Sequence, residues 1–348
     1  MTVAVERRLT LIVPGLFGPA TEQGGSERRW AALETLLARA DRSTYPAASF
    51  EAQLFGLFGV DRPADGDWPA AAVTRIVDAG VVDKDWWMRA DPVHLHASAN
   101  GLILTDAAEL KLTPRDANAL VAELMEIFTA DGWLFKAAHA ERWYLRPLIP
   151  PTIQTHALSD VIGRDIHPFL PHGKDAKAWH TIMNEIQILL HTSGVNQARE
   201  ARGELPINSL WFWGAGRLPQ IGRNDWVQVC SDEPLGLGLA RLAGIPGTKT
   251  TATATDWLAS AERDGEHLAV LDQARRAVIH GDIAAWGDCL QEINDHWIEP
   301  ALQALKQGRL SRLSLQTDGA AFSLTAHGLR RWWRRRRSLE QYREACSD

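Results

Sequence analysis

The stretch Leu9-Thr-Leu-Ile-Val13, followed directly by Pro14-Gly15, indicates the fold class of this chain. A short, mostly apolar run that ends at a Pro-Gly turn is typical of a buried strand. Apolar residues then recur at helical spacing, at Trp30, Leu33, Leu36 and Leu37. A strand, a glycine turn and a helix, in that order, predict an α/β protein whose sheet is largely parallel.

The composition is that of a folded protein with a sizeable core. Of its 348 residues, 45% are hydrophobic and 23% are charged, which allows one large domain or two of ordinary size. A net charge of −6 argues against nucleic-acid binding by the whole surface. Cys230, Cys289 and Cys346 form no CxxC pair, which argues against a disulfide scaffold and a zinc finger. No apolar run reaches the roughly 18 residues of a membrane span, and no signal peptide is recognisable, so we expect a cytoplasmic protein.

A change of pattern in the middle of the chain predicts an inserted domain. Asn100-Gly101 is expected to be the turn of a hairpin between residues 88–96 and 102–104. Thr113 and Pro114 supply the N-cap and first turn of a helix, and short strands follow. We therefore predict a core domain of residues 1–96 and 180–348, interrupted by an α+β domain of residues 97–179.

The rest of the chain is predicted to be mainly helical. Helical spacing of apolar residues indicates helices over residues 178–191, 266–280 and 283–307. Leu210-Trp-Phe-Trp213 is interpreted as a strand, and a hairpin is expected to turn at Asp318-Gly319. Six arginines lie within Arg330–Arg337.

The connection between residues 191 and 208 carries the densest set of polar groups. On a helix, Arg199 and Arg202 project together, and beside Asn196 their guanidiniums suit a carboxylate or phosphate. The alternative is a connection held in place by ion pairs with Glu200 and Glu204. The spacing favours neither interpretation.

Two further groups have a functional and a simpler interpretation. His94 and His96 point the same way on a strand and could share a metal, but the sequence places no third ligand beside them, so half-exposed strand histidines are the favoured interpretation. The arginine-rich tail with Trp332 and Trp333 could bind nucleic acid, lipid or another anionic surface. The simpler interpretation of this tail is a frayed, solvated terminal helix.

Residues 183–216 resemble a segment of the archaeal-type, cofactor-independent phosphoglycerate mutases, which belong to the alkaline phosphatase superfamily. The positions that fit are Val195, Asn196, Arg199, Gly203, Pro206, Asn208 and Gly216, whereas Ser193-Gly194 replaces the family's His-Pro. Arg89 fits a second motif, in which Asp91 replaces asparagine. Within this family, RADPVHL, NSLWFWGAGRLP and the RRWWRR tail resemble bacterial regulatory proteins of the RpfE type. The resemblance implies an alkaline-phosphatase-like core sheet with helices on both faces.

The resemblance also implies a reaction that needs two divalent metals and a serine nucleophile. The family's first-strand aspartate corresponds to Pro14 here, which has no ligand atom. Its Asp-Glu pair falls at Arg275 and Arg276, so cations stand where metal ligands are expected. Its terminal Asp-His corresponds to Asp318-Gly319, and Ser26 near the nucleophile's place lies in a different context.

We therefore predict a pseudoenzyme with no catalytic residues and no metal, a regulatory or ligand-sensing relative of the mutases. Its small phosphorylated or carboxylate ligand is expected to bind to Arg89, Asn196, Arg199, Arg202 and Asn208. The first alternative is an active mutase that interconverts 3- and 2-phosphoglycerate with two Mn or Zn ions. Its rebuilt metal site would use His94, His96, His280 and Asp282. The second alternative is an interaction module that binds partners through Arg330–Arg337.

Overall fold

The computed structural model describes residues 6–19, 28–63, 66–99, 101–261 and 263–347, with only the backbone for 345–347. The strands are β1 (Arg7–Ile12), β2 (Asp41–Thr44), β3 (Trp87–Ser98), β4 (Gly101–Asp106), β5 (Leu134–His139), β6 (Arg142–Arg146), β7 (Ser209–Gly216), β8 (Trp226–Ser231), β9 (Gly247–Thr248), β10 (Gly265–Val270), β11 (Arg312–Thr317) and β12 (Ala320–Thr325). The α-helices are α1 (Ala31–Arg39), α2 (Phe50–Leu57), α3 (Ala70–Asp78), α4 (Ala107–Leu110), α5 (Pro114–Phe128), α6 (Ala176–Thr192), α7 (Gly194–Ala201), α8 (Pro234–Leu242), α9 (Ala254–Ser260), α10 (Gln273–Ile279), α11 (Ile283–Ile293), α12 (Glu299–Lys306) and α13 (Leu339–Ser347). None of these helices is both long and apolar enough to cross a membrane.

The chain divides into two compact units, and the second interrupts the first. The first unit comprises Met1–Gly59 and Ile221–Asp348, and the second comprises Val60–Gln220. The predicted insertion, residues 97–179, is shorter than this second unit. The difference arises because β3 and β7 pair with each other, so the chain on both sides of 97–179 belongs to the second sheet.

The first unit is built on a sheet of seven described strands in the order β2-β12-β11-β1-β10-β8-β9. The strands from β11 to β9 run parallel, and β12 and β2 are antiparallel to their neighbours. Leu9 and Leu11 of β1 and Trp297 near α12 belong to the core on one face. On the other face, α8 lies so close that a Cβ at Gly236 would be 2.9 Å from Oγ of Ser231. Helices therefore cover both faces, and the predicted fold class is confirmed.

The predicted helix over residues 266–280 is wrong in its first half. Gly265–Val270 form strand β10, which pairs in parallel with both β1 and β8, and only Gln273–Ile279 are helical. A strand in the middle of a parallel sheet is buried on both faces, so its apolar residues follow one another without alternation. A short run of that kind is indistinguishable by pattern from a buried helical turn.

The predicted helix over residues 283–307 is confirmed, but it contains a π-helical turn at Asn294–Ile298. Asn294 is buried, and its Oδ1 accepts a hydrogen bond of 3.0 Å from the backbone N–H of Leu33. The widened turn thereby satisfies a backbone donor in the first turn of α1, which has no partner within its own helix.

The second unit contains an antiparallel sheet of five described strands with β3 at its centre. β3 pairs with β7 along one edge and with β6 and β4 along the other. Helix α5 begins as predicted, because the Thr113 side chain accepts from the Asp116 N–H and Pro114 occupies the first turn. Helices α5 and α6 contribute Leu120, Leu124 and Ile186 to the core of this unit.

A charged pair lies buried within this sheet. The guanidinium of Arg89 donates two hydrogen bonds of 2.8 Å to the carboxylate of Asp91, and both residues are buried. Nε1 of Trp213 donates to the same carboxylate at 2.7 Å. The ring of Tyr144 lies 5.5 Å from the guanidinium carbon of Arg89. The pair therefore satisfies its own charges without solvent.

We predict that Asp91→Ala destabilises the protein severely, because it leaves the guanidinium of Arg89 buried without the carboxylate to which it is hydrogen-bonded. The free energy of unfolding is expected to fall by about 3–5 kcal/mol, measured by urea titration. The double substitution Arg89→Met with Asp91→Leu is expected to recover most of the loss, since no unpaired charge remains. A loss below about 1 kcal/mol for Asp91→Ala would contradict this account of the pair.

Candidate functional site

The carboxyl ends of parallel strands are where α/β proteins place their functional groups. In the first unit these ends bring together five residues, which we call the carboxyl-edge cluster: Pro14, Glu51, Asp272, Arg275 and Asp318. Pro14 follows β1, Asp272 follows β10 and Asp318 follows β11. Helices α2 and α10 supply the other two residues.

The turn after β1 is fixed by contacts that include one oxygen of the Asp318 carboxylate. Gly15 has a φ of +74°, and its N–H donates a hydrogen bond of 2.9 Å to Oδ2 of Asp318. A Cβ on Gly15 would lie 2.9 Å from Cγ2 of Val278 and 3.5 Å from Cα of Arg275, so α10 packs directly against the turn. Nε1 of Trp286 donates to the Gly15 carbonyl at 3.0 Å. Asp318 is thus a structural anchor, and the predicted turn at Asp318-Gly319 is confirmed by a φ of +77° at Gly319.

Arg275 places a fixed positive charge among the carboxyl groups of the cluster. Its Nη2 donates a hydrogen bond of 2.9 Å to Oε1 of Glu51, whose side chain is only 7% exposed. The guanidinium carbon also lies 4.3 Å from the ring centre of Phe50. Burial raises the pKa of Asp272, and the nearby Arg275 opposes that shift. The local field at this edge is therefore set by one guanidinium and several carboxyl groups.

Glu51 was missed by the sequence reasoning, because no helix was predicted around it. A usable signal exists, since Ser49 caps α2 by accepting a hydrogen bond of 3.2 Å from the Ala52 N–H. A serine followed by a short apolar helix is a helix-start pattern. The pattern could have found the helix, but the pairing of Glu51 with Arg275 joins residues 224 positions apart and required the tertiary structure.

Asn196 and Arg199, predicted to bind an anion, are buried and bonded to the protein. Nδ2 of Asn196 donates to the carbonyls of Leu190 and Ile207 at 2.7 and 2.8 Å, and its Oδ1 accepts from the Ile207 N–H at 2.8 Å. Arg199 is fully buried and donates to the carbonyls of Leu205 and Leu110 at 3.1 and 2.7 Å. These bonds join α7 to the neighbouring chain segments.

Arg202, by contrast, reaches solvent. Its Nη2 lies 2.9 Å from Oε2 of Glu204 and 3.2 Å from Oδ2 of Asp116, which Arg199 also contacts at 3.4 Å. The hydrogen bond from Arg202 lowers the pKa of Glu204. Glu204 therefore forms the ion pair that the alternative interpretation of this connection predicted. Binding of an anion by Arg199 and Arg202 stays a prediction. Asp116, which both arginines share, was not predicted.

The remaining two predicted residues lie on or beside β3. Asn208 exchanges a pair of hydrogen bonds with the backbone of Leu95, at 2.7 and 2.8 Å, and so extends the ladder between β3 and β7. Arg89 is held by Asp91, as described above. The structure therefore brings Arg199 and Arg202 together at Asp116, while Asn208 and Arg89 serve other contacts.

Comparison with known proteins gives a consistent relationship. No protein-family model matches the chain. A probable 2,3-bisphosphoglycerate-independent phosphoglycerate mutase of Geobacter sulfurreducens is 26% identical over 191 residues, covering 53% of this chain and 46% of that protein. The corresponding mutase of Methanothrix thermoacetophila is 26% identical over 179 residues, covering 46% of this chain and 45% of that protein. The chain is related to the cofactor-independent phosphoglycerate mutases.

The chain spans slightly less than half the length of these two mutases in the matched regions. The fold has a broader match, the PH0037 protein from Pyrococcus horikoshii, which superposes with a TM-score of 0.61 at 12% sequence identity. That superposition covers 93% of this chain and 88% of the other. It supports the α/β fold of this mutase relative.

The carboxyl-edge cluster does not fit the two divalent metals that resemblance to the mutases implies. Pro14 offers no ligand atom, Asp318 is bonded to the Gly15 N–H, and Glu51 is neutralised by Arg275. A dication brought to this edge would meet the positive guanidinium at short range and be repelled. Ser26, which aligned near the nucleophile's place, lies outside the described residues.

The rebuilt metal site of the first alternative is not assembled within either unit. His94 and His96 lie in the second unit, with ring centres 6.1 Å apart, and Nδ1 of His94 lies 2.9 Å from the Pro206 carbonyl. Asp282 lies in the first unit and caps α11 by accepting from the Ala285 N–H at 2.9 Å. His280 ends α10 in the same unit.

Substituting Asn196 should separate its structural role from a binding role. Asn196→Ala removes the hydrogen bonds that the side chain makes to the carbonyl and N–H of Ile207 and to the Leu190 carbonyl, which also accepts from the Ser193 N–H, and we expect the free energy of unfolding to fall by about 2–4 kcal/mol. Arg202→Ala, at an exposed ion pair, is expected to leave it nearly unchanged. Both are measured by urea titration. Full stability of Asn196→Ala would show that the Asn196 amide is not needed for these contacts.

Asp272 should make stability depend on pH in a defined direction. Its pKa is raised in the folded state, so its contribution to stability is complete below the unfolded pKa and is lost as the pH rises from there through the folded pKa. We expect Asp272→Asn to increase the free energy of unfolding at pH 7, and the gain to vanish below about pH 4, where the carboxyl is protonated in both states. Urea titrations at several pH values measure it, with exposed Asp131→Asn as the control. If Asp272→Asn increased the free energy of unfolding equally at all pH values, the raised pKa of Asp272 could not be its cause.

Proposed function

We propose that this protein is a non-catalytic regulatory or ligand-sensing relative of the cofactor-independent phosphoglycerate mutases. The observation that carries the proposal is the ion pair of Arg275 and Glu51 at the carboxyl edge, 2.9 Å apart. A regulatory role is what the resemblance to the bacterial RpfE-type proteins implies, and we propose a cytoplasmic location on the sequence pattern. The sensed ligand is proposed to be a small phosphorylated or carboxylate compound.

Electrostatics supports the loss of mutase chemistry. Two divalent ions stabilise a phosphoryl transfer by clamping the attacking and leaving oxygens and neutralising the charge that develops on the group. One guanidinium carries a single charge, cannot activate a nucleophile by coordination, and is already engaged by Glu51. A single paired guanidinium therefore differs from two divalent ions in charge and in chemistry, and this difference does not favour the alternative of an active mutase.

The same cluster also disfavours phosphoglycerate as a ligand at this edge. The carboxyl groups of Glu51 and Asp272 both act on the guanidinium of Arg275, and Asp318 adds a third carboxyl group at the same edge, so an incoming polyanion meets like charge. We therefore place the ligand away from the carboxyl edge. Of the five residues predicted to bind it, Arg202 is the one whose guanidinium is substantially exposed, with 47% of its side chain accessible.

Metal and activity measurements on the full chain test this proposal. We expect the purified protein to carry far less than one Mn or Zn ion per chain by elemental analysis. We also expect its melting temperature to be unchanged by EDTA or added Mn²⁺, because ligands that bind only the folded state would raise it. Turnover of 3-phosphoglycerate is expected to be absent with either metal. Two tightly bound ions per chain, or turnover, would establish the active alternative instead.

Binding of 3-phosphoglycerate and of inorganic phosphate, measured by calorimetry, tests the sensing role. Arg202→Ala is expected to weaken any binding, whereas Arg217→Ala, whose guanidinium donates to the Lys84 carbonyl, serves as the matched control. Binding that Arg202→Ala leaves intact would move the ligand site elsewhere.

A further inference from the structure

The segment Arg330–Arg337, which we call the Arg-Trp segment, is not the solvated terminal helix of the simpler interpretation. A short 3-10 turn ends at Arg330, the backbone continues without helix, and α13 begins only at Leu339. The two ends are held by the first unit. Arg331 pairs with Asp41, and Leu339 is buried in the core with only 4% exposure. The segment is therefore an anchored loop that projects its middle residues.

The projecting part consists of six consecutive exposed residues, two tryptophans followed by four arginines, over positions 332–337. The side chains of Trp332 and Trp333 are 78% and 63% exposed. Their ring centres are 6.1 Å apart and their planes are inclined by 84°. Leaving two indoles in water is unfavourable, and burying them against apolar material would be favourable.

The charge around these indoles is strongly positive. The segment has six arginines, and Asp41 is the carboxylate that pairs with it among the described residues, through Arg331 and Arg334. Arg335, Arg336 and Arg337 are exposed and take part in no ion pair that the described residues form. A groove of about 720 Å³ runs beside them, lined in part by Arg42, Trp333, Arg335 and Tyr342.

We propose that the Arg-Trp segment binds the surface of an anionic phospholipid bilayer. Indoles favour the headgroup level of a bilayer, where the ring is apolar on one side and its N–H remains hydrated. Guanidiniums beside them bind lipid phosphates, and each basic side chain near an anionic membrane adds to the attraction. The groove offers a place for one headgroup. This surface is independent of the carboxyl edge and of the function proposed above.

The geometry favours a bilayer over single-stranded nucleic acid. Stacking of successive bases needs aromatic faces that follow the strand, and the two perpendicular rings offer no common face. Insertion at headgroup depth needs only that both indoles project beyond the surrounding surface, which their exposure provides.

Sedimentation with vesicles tests the proposal on the full chain. The protein has 15 tryptophans, so co-sedimentation reports binding more directly than intrinsic fluorescence does. We expect binding to phosphatidylcholine vesicles that contain phosphatidylglycerol, at least ten times weaker binding to phosphatidylcholine alone, and loss of binding as salt is raised.

Variants on the surface of the protein locate the binding. Arg335→Gln with Arg336→Gln is expected to weaken binding about 25-fold, at about five-fold for each arginine. Trp332→Ala with Trp333→Ala is expected to weaken it at least ten-fold. Leu148→Ala with Ile149→Ala, an exposed apolar pair outside the segment, is the matched control and should bind as the parent does. Thermal unfolding confirms that each variant is folded.

Three results would overturn the proposal. Equal binding to neutral and anionic vesicles would remove the role of the arginines. Tighter binding to a single-stranded oligonucleotide than to vesicles at the same salt, lost in the tryptophan variant, would assign the segment to nucleic acid. Equally tight binding of soluble glycerol phosphate, competing with vesicles, would make the groove a site for small anions.

Discussion

A partly buried ion pair between Arg275 and Glu51 sets the charge at the carboxyl edge of the first sheet. Glu51 is almost inaccessible, and Arg275 neutralises it while packing on the ring of Phe50. Removing either side chain would leave the other charge unpaired in a poorly solvated place, so each residue depends on its partner for stability. The turn at Pro14-Gly15 closes against the same helix, α10, and is held by Asp318. Pro14, Arg275 and Asp318, which the resemblance aligns with metal ligands of the mutases, take part here in the packing and hydrogen bonding of this edge.

In the second unit too, polar side chains that match the mutase pattern are bonded to other parts of the protein. Asn196, Arg199 and Asn208 fit the mutase pattern in sequence, yet each donates to backbone carbonyls of its own unit. A motif can persist because it joins a helix to a strand, without any ligand being bound. Charge available for recognition is found instead where side chains project, above all at the Arg-Trp segment, whose ends are fixed to the first unit while its tryptophans remain exposed.

Local patterns predicted most of the elements. The capped helix at Thr113, the hairpin at Asp318-Gly319 and the helix over 178–191 are confirmed, because each is specified by nearby residues. The failure at 266–280 has a physical cause: β10 is buried on both faces between β1 and β8, so its sequence lacks alternation. The extent of the inserted unit was underestimated because the pairing of β3 with β7 joins segments more than a hundred residues apart.

By itself, the sequence determined the α/β class and the relationship to the mutases, since both depend on residue types and local order. That Pro14 and Arg275 stand where the mutases have metal ligands is what the resemblance implies. The tertiary structure alone decided what those residues do. It pairs Arg275 with Glu51, satisfies Asn196 with backbone groups and holds the arginine tail as a projecting loop. Hydrogen-bond and ion-pair partners that are distant along the chain determine whether a charged group is engaged within the fold or left exposed. No local sequence pattern contains that information.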